Sequence, residues 1–299
     1  MKQLFTKIIV IAILPLFISG RAVAQQFLVQ QHEFSVYSGG GLSTLNYKTT
    51  VGGQKSGFGG QFGLGYRYFI TPELSFGTGL EFAFFNAKYD SKSVKTSYMT
   101  TDRDGDKFEF RSVADGFKEK QRSMLLQIPV MAQYQFGNIY YAGGGFKVGI
   151  PLSKKFSNKA SKLENSGFYD EENYLYTIQE FIGFGTFNNV SSKGELDLKT
   201  AFFLSLEGGA KWILNDKFTL YSGIYFDYGL NSIIKKRQNT HLIEYNGAKP
   251  TEFAMNSVIS SQYAQVGSPA QDFTDKVKPI AVGIKLRMTF GKKKWWIEN

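Results

Sequence analysis

Large apolar residues alternate with small or polar ones in run after run along this chain. From Leu74, the residues Leu74, Phe76, Thr78, Leu80, Phe82 and Phe84 alternate with Ser75, Gly77, Gly79, Glu81 and Ala83. Successive side chains of a strand point to opposite faces, so this segment has one greasy face and one small or polar face. Met124, Leu126, Ile128, Val130, Ala132, Tyr134 and Phe136 repeat the pattern, as do Phe202, Leu204, Leu206, Ala210 and Trp212. Near the end of the chain Ile280, Val282, Ile284, Leu286, Met288 and Phe290 do so again. Eight such runs are readable, over 33–45, 56–70, 74–88, 123–136, 139–150, 196–213, 218–230 and 277–290. The first is the weakest, because Gly39-Gly40-Gly41 interrupts it.

The connections predict the topology. Thr71-Pro72-Glu73, Gly137-Asn138 and Leu214-Asn215-Asp216-Lys217 are tight-turn sequences, whereas 46–55, 89–122, 151–195 and 231–276 are long. Short turns alternating with long loops, and an even strand count, predict an all-β fold: a transmembrane antiparallel up-and-down β-barrel of eight strands with periplasmic turns and extracellular loops. A water-soluble barrel of the lipocalin kind is the competing architecture. It would place the Gly, Ala and Ser faces in water, whereas lipid outside and a crowded lumen inside suit the observed pattern.

The narrow face carries Arg67, Glu81, Lys147, Glu207, Lys211, Asp227, Lys285 and Arg287. Eight strands enclose only enough space for side chains, so these charges are expected to pair within the lumen, with Gln61, Gln127, Gln133 and water meeting the excess of bases. A conducting path or a titrating relay is the alternative use of the same residues. Tyr68, Phe76, Tyr134, Phe136, Tyr140, Trp212, Phe218 and Phe290 fall at the short-turn ends and read as an aromatic girdle. Phe58, Phe84, Phe202, Phe226 and Tyr228 fall toward the long loops.

Composition agrees with this reading. Aromatic residues make up 16% and glycines number 32, yet mean hydropathy is −0.22, too polar for a helical membrane protein and too aromatic for a disordered chain. Residues 1–24 read as a signal peptide: Lys2 and Lys7, an apolar stretch, then Ala22-Val23-Ala24. Its removal lowers the net charge from +10 to +7. An exported chain rarely meets nucleic acid, so no nucleic-acid partner is expected. The barrel is assigned to 25–291 and a basic and aromatic periplasmic tail to 292–299.

Searches for chemistry mostly fail, and neither a cofactor nor a metal is expected. With no cysteine, thiol nucleophiles and thiolate metal sites are excluded. The two histidines, His32 and His241, fall on opposite sides of the membrane in this topology. A lipid hydrolase built on His241 and a loop serine has no spacing to support it. Asp102-Arg103-Asp104-Gly105-Asp106 opens like a calcium loop, but Lys107 replaces the needed glycine and Val113 the bidentate glutamate. A solvated hairpin tip fits it better. In 151–195, Phe168, Tyr169, Tyr174, Tyr176, Phe181, Phe184 and Phe187 are too many rings for open solvent. They either cap the barrel or form a partner surface.

Three stretches carry a resemblance: 66–75 with its Tyr66-Arg67-Tyr68-Phe69, Leu126-Gln127-Ile128-Pro129-Val130 followed by Gly143-Gly144-Gly145-Phe146-Lys147, and the closing Ala281-Val282-Gly283-Ile284-Lys285-Leu286. They resemble the PorT-like outer-membrane β-barrel family of the Bacteroidetes. That resemblance implies an integral outer-membrane barrel, in a family of which one member is associated with type IX protein secretion, and it supplies no catalytic residues. The expected function is a non-enzymatic structural or interaction component. It would contact outer-membrane lipid around the barrel and a protein partner at loops 151–195 and 231–276. A secretion component and a small-solute channel are the alternatives.

Overall fold

The computed structural model describes residues 28–29, 31–235, 240–291 and 294–295. The signal segment 1–24 lies outside them. Eight antiparallel strands form the barrel: β1 (His32–Asn46), β2 (Phe58–Phe69), β3 (Leu74–Thr101), β4 (Lys107–Phe136), β5 (Tyr140–Tyr169), β6 (Ala201–Ile213), β7 (Phe218–Gly229) and β8 (Lys278–Phe290). Each pairs with the next in sequence, and β8 closes on β1 from Lys278↔Asn46 to Phe290↔Phe34. Closure leaves no strand edge within the lipid, where an unpaired amide has no water to bond. The glycine run in β1 does not break the strand. Added Cβ atoms would come within 2.2 Å of the Val282 carbonyl oxygen at Gly41 and 3.1 Å of the Tyr225 ring at Gly39, so the run gives strand and ring room for close approach.

The outward residues define the bilayer. Ten residue steps, from Phe58 to Tyr68 on β2, Leu74 to Phe84 on β3 and Ile280 to Phe290 on β8, carry a mostly apolar outer face. On strands tilted by about 40° that corresponds to a belt of roughly 25 Å. Tyr68, Phe76, Tyr134, Phe136, Trp212, Phe218 and Phe290 stand exposed at its short-turn end, and Tyr140 is half-buried there. Phe58, Phe84, Phe202 and Phe226 are exposed at the other end.

Above the belt the barrel does not dissolve into loops. β3, β4 and β5 run on for 28, 30 and 30 residues, so the stretches expected as loops 89–122 and 151–195 are largely strand. Three further strands, Gly53–Ser56 on β3 and Tyr174–Tyr176 and Gly185–Glu195 on β5, widen this projecting sheet. Its polarity is the reverse of the membrane part. Phe84 faces out but Phe85, Ala87 and Tyr89 face in; Met124 faces out but Leu125, Phe117, Phe110 and Phe108 face in. In lipid the apolar side chains belong outside, and in water they belong inside, so the alternation inverts at the bilayer edge. At Gly116 (φ +60°) the inward parity of β4 changes, from Phe117 and Glu119 to Ala114 and Ser112, while the register with β5 is the same at Asp115↔Lys162 and Lys118↔Lys159; the register shift of this pair lies between Met124 and Leu125.

The inner face of the projecting sheet is covered chiefly by 231–276. Ile233, Ile234, Leu242, Ile243, Val258, Ile259 and Phe273 from that segment are buried against Phe85, Tyr89, Phe108, Phe110 and Phe203. The rings of 151–195 divide. Phe184 is buried edge-on to Phe108, Tyr169 stacks on Phe108 and Phe187 meets Phe253, while Tyr174 and Phe181 stand exposed. At the periplasmic end Leu28–Val29 pairs with Lys294–Trp295, which ties part of the 292–299 tail to the start of the barrel domain.

Candidate functional site in the barrel lumen

Inward positions of neighbouring strands meet across a narrow lumen, so residues far apart in sequence come together. Lys147 on β5 places Nζ 2.9 Å from Glu81 Oε1 on β3 and 2.9 Å from Asp227 Oδ2 on β7. All three side chains are at most 2% exposed. The Ser205 hydroxyl donates to the second oxygen of Asp227. Nearer the periplasm, Glu207 accepts from Arg287 at 3.0 Å, Lys285 at 3.0 Å and Arg67 at 3.4 Å. Arg287 also donates to Gln133 at 2.7 Å and lies 4.2 Å from the Tyr221 ring centre. Lys285 lies 4.3 Å from the Tyr37 ring, and Lys211 donates to Gln135 at 2.9 Å.

All eight sequence-derived lumen charges therefore face inward, in an upper group around Lys147 and a lower group around Glu207, with Lys211 below. Two further kinds of partner complete the network. Glu33 is buried and accepts from the Tyr221 hydroxyl at 3.2 Å, facing Arg67 across the β1–β2 pair. Counting it, the acids become four (Glu33, Glu81, Glu207, Asp227) against five bases, so the excess falls from two to one. Tyr37, Tyr141 and Tyr221 stack on the bases and fill the remaining space. The signal for Glu33 was its odd parity in a run whose even positions are apolar.

Beside Arg67, Lys147, Glu207 and Arg287 lies a void of about 40 Å³. At roughly 10–15 Å³ per water centre it holds about three waters. Arg287, one of the lining residues, has no protein partner for its Nε, and this is the group such waters would serve. Local chain chemistry supports the packing. Gly63 lets Tyr37 lie flat, because an added Cβ would sit 2.8 Å from its ring and 2.4 Å from the Leu80 carbonyl oxygen. Pro129 lacks an amide, and the Thr78 hydroxyl donates to its carbonyl at 2.8 Å where the β3–β4 ladder is thin.

Above the lipid a further buried carboxylate pins the cover. Glu119 accepts from the Ser257 hydroxyl, from Gln121 Nε2 at 2.7 Å and from the Val258 amide at 2.9 Å. Burial dominates those hydrogen bonds and pushes its pKa up to about 7. His241 lies against Tyr98 with ring centres 3.5 Å apart, and burial lowers its pKa. His32 sits at the opposite end, its Nδ1 2.8 Å from the Tyr66 hydroxyl. Asp102 closes a hairpin tip: its Oδ1 accepts from the amides of Asp104, Gly105 and Asp106 at 2.9–3.0 Å, and its Oδ2 from the Tyr169 hydroxyl. Burial works to raise the Asp102 pKa, but these donors outweigh it and hold the pKa below the usual value.

A closed antiparallel barrel with an apolar belt outside and a buried ionic network inside defines an integral membrane β-barrel. A family model described as outer membrane protein beta-barrel domain matches residues 23–235, through β7. The chain belongs to that family and is an integral protein of the bacterial outer membrane. Similar solved structures include Neisserial surface protein A (8% identity, TM-score 0.31, 87% of this chain and 98% of that one). A major outer membrane protein from Thermus thermophilus is similar at 14% identity and TM-score 0.35 (87% and 100%). OprG from Pseudomonas aeruginosa is similar at 12% identity and TM-score 0.30 (88% and 99%). No curated protein is matched.

Proposed function

We propose that this protein is a non-enzymatic outer-membrane barrel acting through its extracellular superstructure, and that its lumen does not conduct. The observation that carries the reading is the Glu81–Lys147–Asp227 cluster, whose side chains bridge three strands across the lumen at 0–2% exposure. An ion crossing this level would have to break two short ion pairs in a low-dielectric interior, which costs several kcal/mol. Reconstituted into planar bilayers, the protein is expected to be silent; discrete single-channel steps would overturn the proposal. The histidine and aspartate that invited catalytic or calcium readings are otherwise engaged, His241 in its stack on Tyr98 and Asp102 in its turn.

The surface offered to a protein partner is the part of 151–195 that does not pack inward. Tyr174, Leu175, Ile178 and Phe181 fall within eight residues of chain and are all exposed, Ile178 to 80% and Phe181 to 77%. Clustered exposed rings and aliphatics on an otherwise polar projection favour association. The motifs around Arg67, Pro129 and Lys285 support a PorT-like relationship, and with it a role in protein secretion. Retention of cargo in the periplasm of a deletion strain is the expected result, and normal export would exclude that role.

A further inference from the structure

Directly above the lipid belt, the outward face of the projecting sheet carries bases set opposite one another. Arg122 on β4 is in register with Lys155 on β5, Lys88 on β3 with Lys120 on β4, and Lys118 on β4 with Lys159 on β5. All six are exposed, and none of them forms an ion pair among the described residues. Asp90, the acid in register with Lys118, is engaged by Lys55 at 3.0 Å, and Glu195 stands opposite Lys155 without bonding to it. Like charges directly opposed across a ladder are destabilising. Higher on the same face the pattern is the ordinary one, with Arg111 paired to Glu109 at 2.6 Å and Lys162 paired to Glu164.

The height of the unpaired rows points to their occupant. Arg122 is the next outward residue after Met124, the uppermost residue of the apolar belt on β4. Two residues along a tilted strand rise about 5 Å, so the three rows stand roughly 5, 10 and 15 Å above Met124, from the lipid headgroup layer upward. We infer that these rows form a binding surface for the phosphate groups of an outer-leaflet glycolipid, whose acyl chains lie along the apolar belt below. Phosphates bridging opposed bases would turn three repulsive pairs into charge-assisted contacts. Because the surface is continuous with the belt, a membrane-embedded anion reaches all three rows, whereas a soluble polyanion has no reason to prefer the lowest.

The test uses the full mature chain in phosphatidylcholine bicelles doped with bis-phosphorylated lipid A or with the same lipid stripped of phosphate. Binding is expected to the phosphorylated form only and to weaken with salt. Each base near an anionic surface contributes roughly fivefold, so the K88Q/K120Q/R122Q/K155Q variant should bind weaker by several hundredfold. A control variant at four bases higher on the sheet, K92Q/K95Q/R111Q/K162Q, should stay within about twofold of the parent on the same reasoning. Heat-modifiable mobility checks that both variants fold, and if the first does not, the salt titration of the parent still decides. Equal binding of the dephosphorylated lipid, salt-independent binding, or binding only to an added sulfated polysaccharide would each overturn the inference.

Discussion

Replacing Lys147 with methionine removes the one cation between Glu81 and Asp227 while keeping the length and apolar stem of the side chain. At 2.9 Å each contact carries a gross attraction of about 6 kcal/mol at an effective dielectric of 20. Much of this is offset by desolvation of three ions, so the measurable loss is the penalty of leaving two buried carboxylates without a cation, about 3–5 kcal/mol. The assay is urea unfolding in lipid vesicles, followed by tryptophan fluorescence and by loss of the folded band on unheated gels. Neutralising the acids as well, in the K147M/E81Q/D227N variant, should recover most of the loss, because a neutral hydrogen-bonded core of similar volume carries no unpaired charge. A single variant within about 0.5 kcal/mol of the parent, a difference typical of an unstrained surface substitution, would refute the reasoning. So would a triple variant no better than the single, which would make the loss one of shape and not of charge.

The cover should respond to pH through Glu119. Its folded pKa of about 7 lies above the ordinary 4.5, so the folded state binds the proton more tightly and stability falls as pH rises from about 4.5 to about 7. Hydrogen exchange at 255–261 should therefore be slower, after correction for intrinsic rates, at pH 5 than at pH 8, by an amount of order 3 kcal/mol at most. Glu119→Gln should flatten the profile, and protection increasing toward pH 8 would contradict the assignment. Gly63→Val places a Cβ 2.4 Å from the Leu80 carbonyl oxygen and should abolish the folded gel band or lower the unfolding midpoint sharply. In a W295F/W296F background, Trp212 should be quenched more by lipid brominated near the headgroup than near the bilayer centre, as its exposed position at the belt edge requires.

Much of the barrel was legible in the chain because lipid imposes one rule on every strand. Apolar side chains out and small or polar ones in produce a two-residue period, and the turns Pro72-Glu73, Gly137-Asn138 and Asn215-Asp216 mark where it reverses direction. The same parity put Lys147, Glu207 and Arg287 on the inner face. It could not say which acid each would meet, since Glu81 and Asp227 lie 66 and 80 residues from Lys147 and are joined to it only by closure. The inward position of Glu33 is harder to read, because the glycine run at 39–41 interrupts the alternation of its strand.

Local periodicity in a single solvent is enough to set the strand count, the order of the strands and the face each turns to the membrane, and all three are written in the chain. Where that solvent changes was settled only by the folded molecule. At Phe84-Phe85, Leu125-Leu126 and Phe202-Phe203 one ring or aliphatic faces lipid and its neighbour faces the interior. Beyond them the same strands continue in water with their apolar side turned inward and the segment 231–276 folded against it. A doublet of apolar residues reads in sequence as the end of a pattern, because nothing local reports that the surroundings have passed from hydrocarbon to water.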